Sequence, residues 1–246
     1  MAASALALAV SAASLNLCTD EYLLLLARPQ EIASVSFLSQ DPLESPLWRD
    51  ARRHRANRGS IEQVIAVRPT LLLTMGGGGR ASSLIARRMG MRTLDLPAPN
   101  SLGEVERNLI AVAAALDAPQ RARPWVERLR ALRRAAPRAG VDAIWLGGGG
   151  QSLAKGSIGA QWMRLAGLEQ RALAGARASL EALLLRPPHL IVISDYRRGQ
   201  VSRGARWLDH PIIRKSARTI RTDGRAWTCM GPLMIGEIAR LRAADR

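Results

Sequence analysis

Apolar residues along this chain come in two alternating patterns. Short segments at 13–17, 32–38, 71–75, 92–96, 143–146, 190–194 and 219–222 read as strands, and the most apolar of them, 71–75, 143–146 and 190–194, have the composition of buried ones. Between them, apolar residues recur at helical spacing, as in Val105, Leu109, Val112 and Leu116. Helices are expected at 22–27, 81–89, 124–136, 160–166 and 232–242, with helix or turn at 207–215. Polar signals mark their starts. Thr19 reads as an N-cap with Asp20 and Glu21 in the first turn; Ser60-x-x-Gln63 and Ser101-x-x-Glu104 read as capping boxes; Pro124 suits a first helical turn. Residues 39–59 are a long, polar, Arg-rich connection containing prolines, the kind of segment that carries function or lies over a site. Strand–helix alternation predicts mostly parallel sheets. The pattern restarts after 124–136, a helix whose apolar stripe (Trp125, Leu129, Leu132, Ala136) leaves its arginines largely on a solvated side. The expected fold class is α/β: two Rossmann-like lobes, 13–117 and 138–246, bridged by a single long helix within 118–137.

A repeat supports two lobes without any strand assignment. SIEQVIAVRPTLLLTM at 60–75 is echoed by SLEALLLRPPHLIVIS at 179–194, 119 residues later. Both copies place Glu two residues after Ser, a Pro seven residues after Glu, then an apolar run. An acid in a first helical turn is favoured by the macrodipole, worth about 0.3–1 kcal/mol. That explains an acid once, and explains less well the same choice, Glu62 and Glu181, in both copies. Two equivalent surface acids suit a partner with two equivalent basic sockets.

The formal charge of +16 invites a nucleic-acid reading, which the details weaken. Lys155 and Lys215 are the only lysines, the arginines are scattered, and aromatics for base stacking are few. No nucleic-acid partner is expected. No apolar run is long enough to span a membrane. Ala5–Val10 resembles the end of a secretory apolar segment, and Val10-Ser11-Ala12 fits a small-x-small cleavage site. Residues 1–12 are read as the remnant of a signal peptide, with an alanine-rich lead into a first strand as the alternative. Two cysteines, Cys18 and Cys229, permit one pairing: a disulfide if the protein is exported, free thiols in the cytosol.

Chemistry-bearing motifs are sparse. Two tetraglycine runs, Gly76–Gly79 and Gly147–Gly150, each sit between a strand and a helix, where backbone N–H groups can face a ligand; that role is favoured over plain tight turns because ligands collect at the carboxyl ends of strands. Neither has Walker spacing or a full dinucleotide fingerprint. His54, His189 and His210 are dispersed, so neither a catalytic set nor a bare metal site is expected. No cofactor is expected.

SLNLCTDEYLLLLA followed by IASVSFLS, then IEQVIAVRPTLLL, and the ending WTCMGPLMIGEIARL resemble, in order and spacing, substrate-binding proteins of ABC importers for cobalamin and ferric siderophores. The resemblance runs from Ser14 to Arg242. It implies two α/β lobes joined by a helix with the ligand in the cleft between them, export to the periplasm in soluble form, and a monomer that docks on a membrane permease dimer. Glu62 and Glu181 match the acids that meet permease arginines. It places Asn16, Leu17, Cys18 and Thr19, Met75–Gly78, Gly148–Ser152, Asp195–Arg197 and Trp227–Cys229 at the cleft. Of these, Asn16, Cys18, Thr19, Met75, Gly76, Gly77, Gly149, Tyr196, Arg197 and Trp227 are the expected ligand contacts, joined by Arg58 and Lys155. Cobalamin binders use several aromatics in these places; here Tyr196 and Trp227 serve, and Met75 stands where an aromatic would. Arg55, Arg58, Arg197 and Lys155 suit an anionic ligand such as a ferric siderophore or haem propionates. Cys18 and Cys229 both map near the cleft, so the resemblance implies a disulfide. The expected function is capture of an iron complex (siderophore or haem) or cobalamin for import, without catalysis. The alternatives are a chelatase-like enzyme on the same architecture and an interaction protein that keeps only permease docking.

Overall fold

In the computed structural model, residues 10–77, 79–197, 199 and 201–244 are described. Residues 1–9 of the expected signal-peptide remnant, and Gly78 of the first tetraglycine, lie outside them. The chain forms two compact units. The first comprises the chain up to Pro42, Leu47–Ala98 and Ile110–Ala122; the second comprises Leu43–Pro46, Pro99–Leu109 and the chain from Arg123. Both cysteines are disulfide-bonded, as the resemblance implies.

The first unit is built on five parallel strands: β1 (Ala12–Ser14), β2 (Ile32–Ser36), β3 (Ala56–Asn57), β4 (Leu71–Met75) and β5 (Arg92–Leu96), in the order β3-β2-β1-β4-β5. Helices α1 (Leu17–Leu26), α2 (Trp48–Ala51), α3 (Ile61–Ile65) and α4 (Arg80–Arg88) connect them. Next comes α5 (Leu102–Ala115). The expected bridging segment contains a 3-10 turn, Pro119–Ala122, and α6 (Arg123–Arg134). The second unit carries β6 (Val141–Leu146), β7 (Leu168–Gln170), β8 (Leu190–Ser194) and β9 (Arg218–Thr222), all parallel, in the order β7-β6-β8-β9. Its further helices are α7 (Ile158–Leu165), α8 (Leu180–Leu185), α9 (Arg203–Leu208), α10 (Pro211–Ser216), α11 (Ala226–Cys229) and α12 (Leu233–Ala244).

The two sheet orders superpose as β2-β1-β4-β5 on β7-β6-β8-β9. The repeated sentence therefore supplies the same piece of each unit: α3 with β4, and α8 with β8. Leu71–Leu73 and Leu190–Ser194 are wholly buried, as central parallel strands require. Val64 and Leu183, at matching places in the copies, anchor their helices in the two cores. The repeated prolines, Pro69 and Pro188, are also buried at the strand entrances.

Three helix starts differ from the sequence expectation. Asn16, not Thr19, caps α1: its Oδ1 accepts the Thr19 N–H at 3.0 Å, and the helix begins two residues before Thr19. Thr19 instead pairs its hydroxyl with Ser14 Oγ at 2.6 Å. At α3, Ser60 makes no cap bond to the helix backbone, and Gln63 accepts from Arg58 N–H at 2.6 Å. At α5, Ser101 Oγ accepts from Glu104 N–H at 3.3 Å, but the Glu104 carboxylate takes the Asn100 N–H at 2.6 Å, one residue beyond a true capping box. At α3 and α5 the longer side chain, Gln63 or Glu104, reaches a donor further upstream than the local pattern specifies.

Candidate functional site

In an open parallel sheet, ligands collect outside the carboxyl ends of strands, where the direction of winding reverses. In the first unit that reversal lies between β1 and β4. Asn16 and Thr19 follow β1; Met75 ends β4, with Gly76 and Gly77 after it; Arg58 follows β3 and is exposed. The sheet thus brings these six expected residues to one rim. Asn16 and Thr19 are tied into the α1 cap, and Thr19 is buried. Gly76 and Gly77 adopt left-handed φ values of 76° and 73°. One rim residue escaped the sequence reading. Phe37, the chain's single Phe, follows β2 and is 50 % exposed. Its signal was faint: a lone aromatic at the end of an apolar run looks like part of the strand.

In the second unit the reversal lies between β6 and β8. Gly147–Gly150 follow β6; Asp195, Tyr196 and Arg197 follow β8. A cavity of about 430 Å³ opens here, lined by Gly148, Ser194, Asp195, Tyr196, Arg197 and Arg221 among others. Arg221 bridges Asp195 and Asp209, the latter at 3.0 Å. Lys155 is exposed in the turn before α7. Trp227 lies in α11, 3 % exposed, packed against Trp145 at 5.5 Å between centroids with the rings tilted by 43°, its indole N–H donated to Thr222 Oγ1 at 2.7 Å. Its polar handle is thus used inside the unit. Thr222 Oγ1 also bonds the buried Glu237 carboxylate, which accepts the Asp223 N–H at 3.0 Å.

The second tetraglycine is a packing device as well as a rim. Gly150 has φ of 79°, and a Cβ there would lie 2.5 Å from the Ala178 carbonyl oxygen and 3.0 Å from the Trp207 ring. Gly149 presents its carbonyl to Arg177 at 2.7 Å. Gly150→Ala is therefore expected to lower stability by about 1–3 kcal/mol. The measurement is the urea midpoint, and an unchanged midpoint would show that the turn relaxes freely.

Residues 13–204 match the periplasmic binding protein family. The chain belongs to that family. No curated protein sequence matches it. Solved structures share the fold at low identity. The periplasmic haem-binding protein HutB of Vibrio cholerae is 15 % identical, with a TM-score of 0.73 over 96 % of this chain and 98 % of that one. The periplasmic haem-binding protein RhuT from Roseiflexus sp. RS-1 is 19 % identical, with a TM-score of 0.68 over 96 % and 97 %. The siderophore-binding protein BauB, solved with ferric iron and two acinetobactin molecules, is 15 % identical, with a TM-score of 0.71 over 96 % and 92 %.

In this periplasmic binding protein the repeated acids are also geometrically alike. Glu62 and Glu181 are exposed, and each carboxylate folds onto its own N–H and onto the hydroxyl of the Ser two residues before it. Those bonds, the backbone one first, hold both acids below the usual carboxylate range. Both are therefore charged at any physiological pH. At the second rim, burial followed by the neighbouring Glu44 carboxylate raises Tyr196 above an ordinary phenol, against the opposing pull of Arg197. No group of three or more His, Cys, Asp or Glu among the described residues could hold a metal ion. No described helix is long and apolar enough to cross a membrane.

Proposed function

We propose that this protein is the exported, monomeric substrate-binding component of an ABC importer, that it captures an iron complex, haem or a ferric siderophore, and that it hands this ligand to a membrane permease. Family membership over residues 13–204 carries the reading. The structural relatives named for haem or siderophore binding support the ligand class, as do the arginines and exposed aromatics that follow the strand ends. A corrinoid remains the second ligand class to test. The disulfide between the chain's two cysteines suits an oxidising compartment outside the cytosol.

The test is a thermal-shift panel of haemin, several ferric siderophores and cyanocobalamin. A ligand that binds only the native state at a hundred times its Kd adds about 2.7 kcal/mol. For a chain of this size that raises the midpoint by roughly 5–10 °C. We expect such a rise with at least one iron complex, with the ligand recovered unaltered. No shift with any member of the panel would overturn the proposal.

A further inference from the structure

Leu43–Pro46 belongs to the second unit, although the chain on either side belongs to the first. It brings Glu44 to the second rim. Glu44 is a buried acid, 5 % exposed. One of its carboxylate oxygens accepts the Tyr196 hydroxyl, 152 residues away in sequence. The other accepts an Arg197 guanidinium N–H. The two donors are themselves accessible: Tyr196 is 43 % exposed, and both line the cavity of about 430 Å³. Arg197 holds a left-handed φ of 51°, a conformation that costs a non-glycine residue about 1–2 kcal/mol and persists where the surroundings fix it. Next to it, Arg225 pairs with Asp223 at 2.6 Å and lies 3.5 Å from the Ser45 carbonyl, so the whole segment is held from the second unit.

A phenol and a guanidinium converging on the two oxygens of one carboxylate is the chemistry of an oxyanion receptor. We propose that Tyr196 and Arg197 form a receptor for a carboxylate group on the ligand, and that Glu44 occupies it in the ligand-free protein as a built-in competitor. This rests on the binding-protein reading above and narrows it. The ligand must offer a carboxylate able to displace Glu44, so carboxylate-bearing iron complexes are selected over neutral ones. Glu44 is then a specificity-determining residue: it keeps the receptor closed to weak anions between ligands.

The experiment has two arms and uses the full chain as wild type, E44Q, R197M and the E44Q/R197M double variant, each first checked for an unchanged circular dichroism spectrum. In the first arm, citrate at millimolar concentration is the probe, followed by thermal shift, and no iron is present. Citrate is expected to protect E44Q and not wild type, and the protection should vanish in the double variant. Equal shifts in E44Q and wild type, or none in E44Q, would overturn the receptor. In the second arm, haemin and its dimethyl ester are titrated. E44Q should bind haemin at least tenfold more tightly than wild type and leave the ester within about threefold; an equal gain for both, or no gain for haemin, would also overturn it. The two readings fail separately. Absence of binding to any iron complex counts against the importer component; the citrate arm tests the receptor without any iron complex, and the haemin arm tests it once wild type is shown to bind haemin.

Discussion

Replacing Asp20 by asparagine is expected to remove most of the loss of stability between pH 4.5 and 8. Asp20 is fully buried in the first turn of α1, where it accepts the Ser36 N–H at 3.0 and 3.1 Å. Burial raises its pKa from 3.8 to about 7; hydrogen bonds from Ser14, the Ser36 N–H and Ser39 pull the other way and do not win. The folded protein therefore keeps a proton that the unfolded chain gives up near pH 4. Stability from this group is fully present below that pH and is lost as pH rises through about 7. At about 1.4 kcal/mol for each tenfold change in proton affinity, ionising Asp20 inside the fold costs on the order of 4 kcal/mol. Asparagine keeps the shape and an oxygen for the Ser36 N–H, and carries no charge to desolvate. Urea denaturation of both proteins across the pH range gives the comparison. Every other titrating group, including His54 with its burial-lowered pKa, is common to the two and cancels. Parallel curves for wild type and variant would show that Asp20 ionises without cost.

Asp20 also marks the limit of what the sequence discloses. In the local pattern it is an ordinary first-turn acid, indistinguishable from Glu62, which is exposed. Only the packing of α1 against the end of β2, through Ser36, makes one acid buried and the other free to meet solvent. The strands were legible where they are central: β4 and β8 are continuous apolar runs because both faces are covered. The two-residue β3 and three-residue β7 edges, and the four-residue helices α2 and α11, carry no periodicity to detect. The resemblance grouped Asn16 with Met75, and Gly149 with Tyr196, and the topology supplies the physical reason: residues following parallel strands gather at one end of a sheet whatever their identity. Glu44 was not legible, because its partners lie 152 and 153 residues away and its own segment reads as a polar loop. Trp227, placed at the cleft by the resemblance, donates its indole N–H to Thr222 inside its own unit, a partner that lies five residues away and that the sequence pattern does not specify.

The largest functional effect is expected from reversing both repeated acids. In Glu62→Arg/Glu181→Arg, import of the iron complex into cells should fall to background, while ligand affinity measured on the purified protein stays within about twofold. The acids sit at matching places of two topologically equivalent units, one per copy of the repeat. Each is exposed, and each is held ionised by its own N–H and the preceding Ser. Removing a first-turn acid costs a helix only about 0.3–1 kcal/mol. Placing a like charge against a complementary partner costs several kcal/mol per contact. Two such contacts would weaken docking by at least a thousandfold, since each 1.4 kcal/mol is tenfold. The two explanations of the repeat are therefore separated by size as well as by kind. Single reversals should each leave partial docking, because the other unit still holds. The neutral pair Glu62→Gln/Glu181→Gln should fall between, as it loses attraction without adding repulsion. Co-purification of each variant with the permease in detergent gives the direct measurement. If the doubly reversed protein still docks, the acids are helix caps, and the repeat records only that the two units are built alike.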